Sequence, residues 1–123
     1  MSGGDAAAWL ATGLVPLTAL AGWILRRLLS GAIAVRLRPH FVLGYAALAL
    51  AAFHGMQAMG AMRVLGTGGG WLAFLAFGGL ALQTYVGASL QAPGIYRGAL
   101  RRWHLVTALG VAILIAGHIA FTI

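Results

Sequence analysis

The sequence contains no cysteine and no lysine, and its single acidic residue is Asp5. The lack of cysteine rules out disulfides, thiolate metal sites and cysteine-ligated iron–sulfur clusters. The lack of Asp, Glu and Lys in the apolar runs argues against a proton pump built on a carboxylate relay. Charge of any kind is scarce: 7% of the 123 residues, against 62% that are hydrophobic. A soluble domain has about a quarter of its residues charged. A chain of this length cannot hide so much apolar surface in one core, so a water-soluble globular enzyme is excluded and lipid is the solvent for most of the molecule.

What charge there is falls in a pattern. The eight cations are all Arg, at positions 26, 27, 36, 38, 63, 97, 101 and 102. Between them lie uncharged runs: Ala6–Leu25 (20 residues), Pro39–Met62 (24), Val64–Tyr96 (33) and Trp103–Ile123 (21). A membrane-spanning helix needs about 20 apolar residues at about 1.5 Å each. The runs therefore predict an all-α protein, a four-helix transmembrane bundle forming a single domain over 1–123, with helices at about 7–28, 39–62, 71–91 and 101–122. Pro39 suits a helix start, where its missing N–H costs nothing. Pro93-Gly94 suits a stop. The stretch from Gly66 to Gly70 reads as flexible, which places the third helix start near Trp71. Backbone in lipid must satisfy its own hydrogen bonds, which leaves helices as the only form at these lengths.

Seven arginines fall in the first and third connections, and only Arg63 falls in the second. The positive-inside rule then puts the N- and C-termini on the non-cytoplasmic side. Membrane-flanking arginines also explain the net charge of +7 without nucleic acid. The N-terminus has no basic region of the kind that opens a cleavable leader, so the first helix is expected to be retained. Arginine without lysine, with abundant Ala and Gly, points to a GC-rich genome and hence to a bacterial inner membrane. Trp71 and Trp103, at helix starts, read as interfacial anchors.

All four histidines belong to one repeated pattern. A shift of 64 residues carries Arg38 onto Arg102, His40 onto His104 and His54 onto His118, so that Arg-x-His-x13-His occurs twice. Fourteen residues at about 100° each fall about 40° short of four turns, so both histidines of a helix share a face, about 21 Å apart along the axis. The second and fourth helices run parallel, which sets His40 level with His104 and His54 level with His118. The residues expected to face inward between them are small on the second helix (Gly44, Ala47, Ala51) and are Ala108, Val111 and Ile115 on the fourth. Two facing imidazoles can ligate one iron, and Gly44 and its small neighbours allow a flat macrocycle close to the backbone. Zinc needs three or four ligands around one ion, and the gap along the helices splits these four into pairs. Two other readings stay open: a pigment such as bacteriochlorophyll, which takes one axial ligand, and histidines that only hydrogen-bond neighbouring helices.

On these residues the chain resembles the four-helix dihaem core of membrane b-type cytochromes. That group includes the haem-bearing half of cytochrome b in quinol-oxidising complexes and the ferric-reductase-like transmembrane proteins. The resemblance implies two bis-histidine haem b groups, His40 with His104 on the cytoplasmic side and His54 with His118 on the outer side. It departs from the large cytochrome b in lacking the further helices with quinone motifs, and Gly13, Gly22, Gly78, Gly79 and Gly87 do not keep that protein's glycine spacing. It departs from the ferric reductases in lacking flavin and nicotinamide domains.

Haem propionates are anions, and Arg38 and Arg102, two residues before His40 and His104, are the first-choice partners by charge-assisted bonding. Arg36, Arg97 and Arg101 follow, and Arg63 could serve the outer haem. Met56, Met59 and Met62 read as packing residues. Gln57, Gln83, Tyr85 and Tyr45 are the polar side chains able to meet a quinone headgroup. The expected role is electron transfer across the membrane, as the membrane subunit of a redox complex exchanging electrons with quinone or a partner protein. The alternatives are a stand-alone oxidoreductase passing electrons between quinone and a small oxidant or reductant such as superoxide, and a pigment-binding or structural small subunit of a photosynthetic or respiratory assembly. Small four-helix multidrug exporters have a similar length, but they need a membrane-embedded acid.

Overall fold

A computed structural model describes residues 3–59, 67–92 and 94–122. Among the described residues there are five helices: α1 (Gly3–Leu28), α2 (Ile33–Arg36), α3 (Arg38–Met59), α4 (Gly68–Ser89) and α5 (Arg97–Thr122). Four of them, all but the single turn α2, are long and apolar enough to cross a membrane. The second long helix is described as far as Met59, and Met62, Arg63 and Pro93 lie outside the described residues.

Three helix starts lie three or four residues before expectation: the first is at Gly3 and not near 7, and the other two have local reasons. The third span starts at Gly68, not near Trp71. Thr67 caps it, its hydroxyl accepting the Gly70 N–H at 3.2 Å. Three successive glycines are poor helix formers, at about 1 kcal/mol each, but here Gly69 is tucked against the end of α5. A Cβ on Gly69 would lie 3.1 Å from Thr122 Cγ2. Gly68–Gly70, the end of the stretch that reads as flexible, thus form the first turn of a helix. The fourth span starts at Arg97, a full turn before Arg101. Arginine is a good helix former, so charge marks where lipid ends and not where the helix does.

Between α1 and α3 the chain turns through Gly31, whose φ of +107° favours glycine. The Arg36 guanidinium then reaches back to the end of α1 and donates from Nη1 to Leu29 O at 2.8 Å and Arg26 O at 3.4 Å. Carbonyls left over at that helix end are satisfied in this way.

The bundle consists of two antiparallel hairpins. α1 packs on α3 and α4 packs on α5, and the hairpins meet where α3 touches α4. α3 and α5 are not among the closely packed helix pairs. The core is thin. Its buried side chains are Ala7, Ala11, Ala47, Ala76, Leu80, Val86 and Val111, with no aromatic among them. The large side chains point outward instead: all four tryptophans are more than half exposed, from 53% at Trp23 to 62% at Trp103. Lipid tails are as apolar as a protein interior, so in a membrane nothing would drive these rings inward. Trp9 and Trp71 ring one end of the bundle and Trp23 and Trp103 the other, as interfacial aromatics do. The Arg27 guanidinium stacks 4.4 Å above the Trp23 ring.

Candidate functional site

The four histidines sit on α3 and α5, and the fold brings them together in the two expected pairs. The ring centres of His40 and His104 are 6.1 Å apart. Those of His54 and His118 are 6.4 Å apart. Helices that hardly touch through their backbones thus meet through imidazoles at two levels. The pairing also shows that α3 and α5 run parallel.

Each pair faces its own cavity. The one at His54 and His118 measures about 1020 Å³, and Asp5, Trp9, Ala51 and Phe77 are among the residues lining it. The one at His40 and His104 measures about 630 Å³, and Gly22, Gly44, Ala47 and Gly87 are among its lining residues. Thr12, Val15, Leu80, Ile115 and Ile119 line both. Protein interiors are normally close-packed with few voids larger than a water molecule, whereas cofactor sites run to about 300–1,000 Å³. The small inward residues read from the sequence line these spaces: Gly44, Ala47, Ala108 and Val111 the smaller, Ala51 the larger, and Ile115 both.

The rings are held by their neighbours in the hairpins. His40 Nδ1 lies 2.7 Å from the carbonyl oxygen of Thr18 on α1. His118 Nδ1 lies 2.9 Å from the carbonyl oxygen of Gly69 on α4. A carbonyl can only accept, so Nδ1 is the donor in both rings, and in the neutral ring Nε2 carries the electron pair. His104 is held differently: Gln83 Nε2 lies 3.3 Å from His104 Nε2, and Gln83 Oε1 meets the Thr107 hydroxyl.

Two glycines make room for this. A Cβ on Gly22 would come within 2.9 Å of His40 Nδ1, and one on Gly87 within 3.0 Å of His104 Cε1. Sequence reading set both aside because they miss the spacing of the large cytochrome b. A signal was nonetheless present: one glycine lies 18 residues before His40 and the other 17 before His104. The carbonyls of Thr18 and Gly69 had no such signal, since every residue carries one.

The arginines are placed less evenly than their spacing suggests. Arg38 and Arg102 are exposed, at the expected end, and neither lines a cavity. Arg26 does line the His40–His104 cavity, and its Nε donates to Gly22 O at 2.8 Å. Of the polar candidates, Gln83 and Tyr45 reach that cavity, Tyr85 is 71% exposed, and Gln57 lines neither space. Met56 borders the larger cavity.

Among the described residues, no three His, Asp or Glu side chains gather as a metal cluster. Each pair offers two nitrogens, which suits a metal whose other ligands come from elsewhere, as they do from the porphyrin of haem. A metal–imidazole bond is about 2.0–2.1 Å and the ring centre lies about 1.1 Å beyond the nitrogen, so imidazoles on opposite sides of one ion have centres about 6.3 Å apart. Both observed separations are near that value, and both also fall in the range of about 4.5–7 Å for rings in direct contact. No protein family, curated protein or solved structure matches the chain.

Proposed function

We propose that this chain is a dihaem b-type cytochrome of a bacterial inner membrane, carrying single electrons between the two membrane faces. The observation that carries the reading is the double pairing of imidazoles, at 6.1 and 6.4 Å, each pair with its own cavity, on two parallel helices that otherwise hardly meet.

In this reading His40 and His104 hold one haem, and His54 and His118 hold the other. Bound haem supplies one-electron chemistry at an iron that keeps its ligands in both oxidation states. The protein's own residues do the rest. The Thr18 and Gly69 carbonyls orient His40 and His118 and keep a nitrogen of each free for metal. Gly22 and Gly87 let α1 and α4 approach the rings. Arg26, in the wall of the His40–His104 cavity, offers a cation to a propionate. Apolar walls exclude water. The two levels lie about 21 Å apart along the helices, which covers most of a hydrocarbon core about 30 Å thick. The end bearing Arg26, Arg38 and Arg102 faces the cytoplasm, and both termini face outward.

Electrons enter and leave through quinone or through partner subunits of a membrane redox complex. The test is the spectrum of the protein purified from membranes. A reduced-minus-oxidised b-type difference with two haems per chain is expected. His54→Ala or His118→Ala should each remove one haem and spare the other. A colourless protein, or one whose haem content ignores these substitutions, sinks the reading. Subunits that co-purify mark a complex, whereas unaided quinone reduction marks a stand-alone enzyme.

A further inference from the structure

The arginines at one end of the bundle differ in what they touch. Three are engaged within the chain: Arg26 Nε donates to Gly22 O, Arg27 stacks on Trp23, and Arg36 donates to carbonyls at the end of α1. Arg97, Arg101 and Arg102, at the start of α5, are not. All three are exposed, and among the described residues their guanidiniums make no hydrogen bond or ion pair. The chain's one acid, Asp5, borders the cavity at the other end of the bundle.

Their placement does nothing for the helix. Cations are unfavourable in a first turn, where backbone N–H groups already carry partial positive charge. Arg97 and Arg101 stand four residues apart, so like charges are neighbours on one face. None of the three lines a cavity. Two residues are about 200° around a helix, which turns Arg102 away from the face of His104. Three guanidiniums within two turns are thus left with no counter-charge from the chain itself.

The side chains beside them are large and apolar. Ile95 and Tyr96, just before Arg97, are 90% and 72% exposed, and Trp103, just after Arg102, is 62% exposed. Ile95 and Tyr96 precede the helix, so a lipid-facing span does not account for them. A free anion would leave these side chains in water, and an acidic protein patch has little apolar surface to offer them. A phospholipid meets both demands. Its phosphate forms charge-assisted bonds with guanidiniums, and aromatic side chains lie well at headgroup level.

We infer that the start of α5 is a binding surface for the headgroup of an anionic phospholipid. Arg97, Arg101 and Arg102 neutralise the phosphate, and Ile95, Tyr96 and Trp103 seat the glycerol and upper acyl chains. An anionic headgroup is favoured over a zwitterionic one because no acid stands here to meet a choline or ethanolamine cation. The inference rests on the chain spanning a membrane and is independent of haem.

The test uses protein reconstituted in bilayers of phosphatidylcholine and phosphatidylglycerol in equal parts, with bromine on the acyl chains of one or the other. Bromine quenches tryptophan on contact. Trp9, Trp23 and Trp71 are replaced by Phe to leave Trp103 as reporter, and a second protein keeps Trp23 alone, beside arginines already engaged. Trp103 should favour the anionic lipid at least about fivefold, the share of one guanidinium near a membrane surface, and Trp23 should favour it less. Arg97→Gln, Arg101→Gln and Arg102→Gln together should lower the Trp103 preference to that of Trp23. Unsubstituted protein taken from the same bilayers should retain phosphatidylglycerol over phosphatidylcholine in native mass spectrometry, a readout that needs no variant to fold. Equal quenching of Trp103 by the two lipids, or a preference that survives the triple substitution, overturns the site. So does sodium phosphate that abolishes the preference where chloride at the same ionic strength does not, which marks a free anion. A co-purifying protein that shields Trp103 from both lipids overturns it too, and marks a protein surface. A colourless protein that passes these tests keeps the lipid site and loses the haem reading.

Discussion

At the scale of single residues, the site depends on what is absent beside each histidine as much as on the histidine. Gly22 and Gly87 stand where any Cβ would press on a ring. A larger residue there must push the imidazole away or force the helices apart, at about 1–3 kcal/mol for overpacking. Gly22→Val is therefore expected to cost the haem proposed at His40–His104 and spare the one at His54–His118, halving haem absorbance per protein. Gly13→Val, with open space around it, should keep both. Haem-to-protein ratios of the two variants check this, and equal loss from both would refute it. The histidines themselves were legible because intramembrane ionisable groups are costly and rare. Their glycine partners were hard to read, because the contact of Gly22 with His40 depends on how α1 crosses α3, and no local window of sequence reports a crossing.

At the scale of elements, helix starts prove as consequential as helix interiors. The first turn of α4 is Gly68-Gly69-Gly70, capped by Thr67, and the carbonyl of Gly69 in that turn holds His118 Nδ1. Losing the cap should cost about 0.5–2 kcal/mol and loosen the turn that orients His118. Thr67→Ala is expected to lower the thermal midpoint by a few degrees and speed loss of the haem proposed at His54–His118, and Thr67→Ser should restore both. Thermal melts monitored at a haem band and by circular dichroism decide it; unchanged melts would show that the turn stands without its cap. The body of each helix was plain from hydropathy. The start of α4 was not, since glycine's weak helix propensity is offset here by a cap and by close approach to α5, and both depend on neighbours distant in the sequence.

At the scale of the molecule, two hairpins place seven arginines at one end of the bundle and Asp5 with the last turn of α5 at the other. Asp5 and Thr122 border the same cavity. The positive-inside rule turns this into an orientation. Alkaline phosphatase joined after Ile123 should be active and a fluorescent protein joined there should be dark, while a fusion in the Arg27–Arg36 connection should give the reverse. A bright C-terminal fluorescent fusion would invert the proposed orientation and exchange the two haem levels between membrane faces. Oligomeric partners aside, the outward-facing aromatics of all four spans are what lipid solvation asks of a bundle this small.

Composition and helical period alone determined that four helices are long and apolar enough to cross a membrane, that seven arginines gather at one end of them, and that four histidines fall at two levels on two parallel helices. These follow from transfer energies and from a repeat of about 3.6 residues, both of which act within a span. Tertiary structure alone decided that the imidazoles meet within 6.1 and 6.4 Å while their helices stay apart. It also decided that Arg26 and not Arg38 or Arg102 enters a cavity wall, and that Gln83 comes to His104. In lipid the hydrophobic effect does not choose helix partners; shape and small residues do. Those complementarities exist only between surfaces that folding has already brought together.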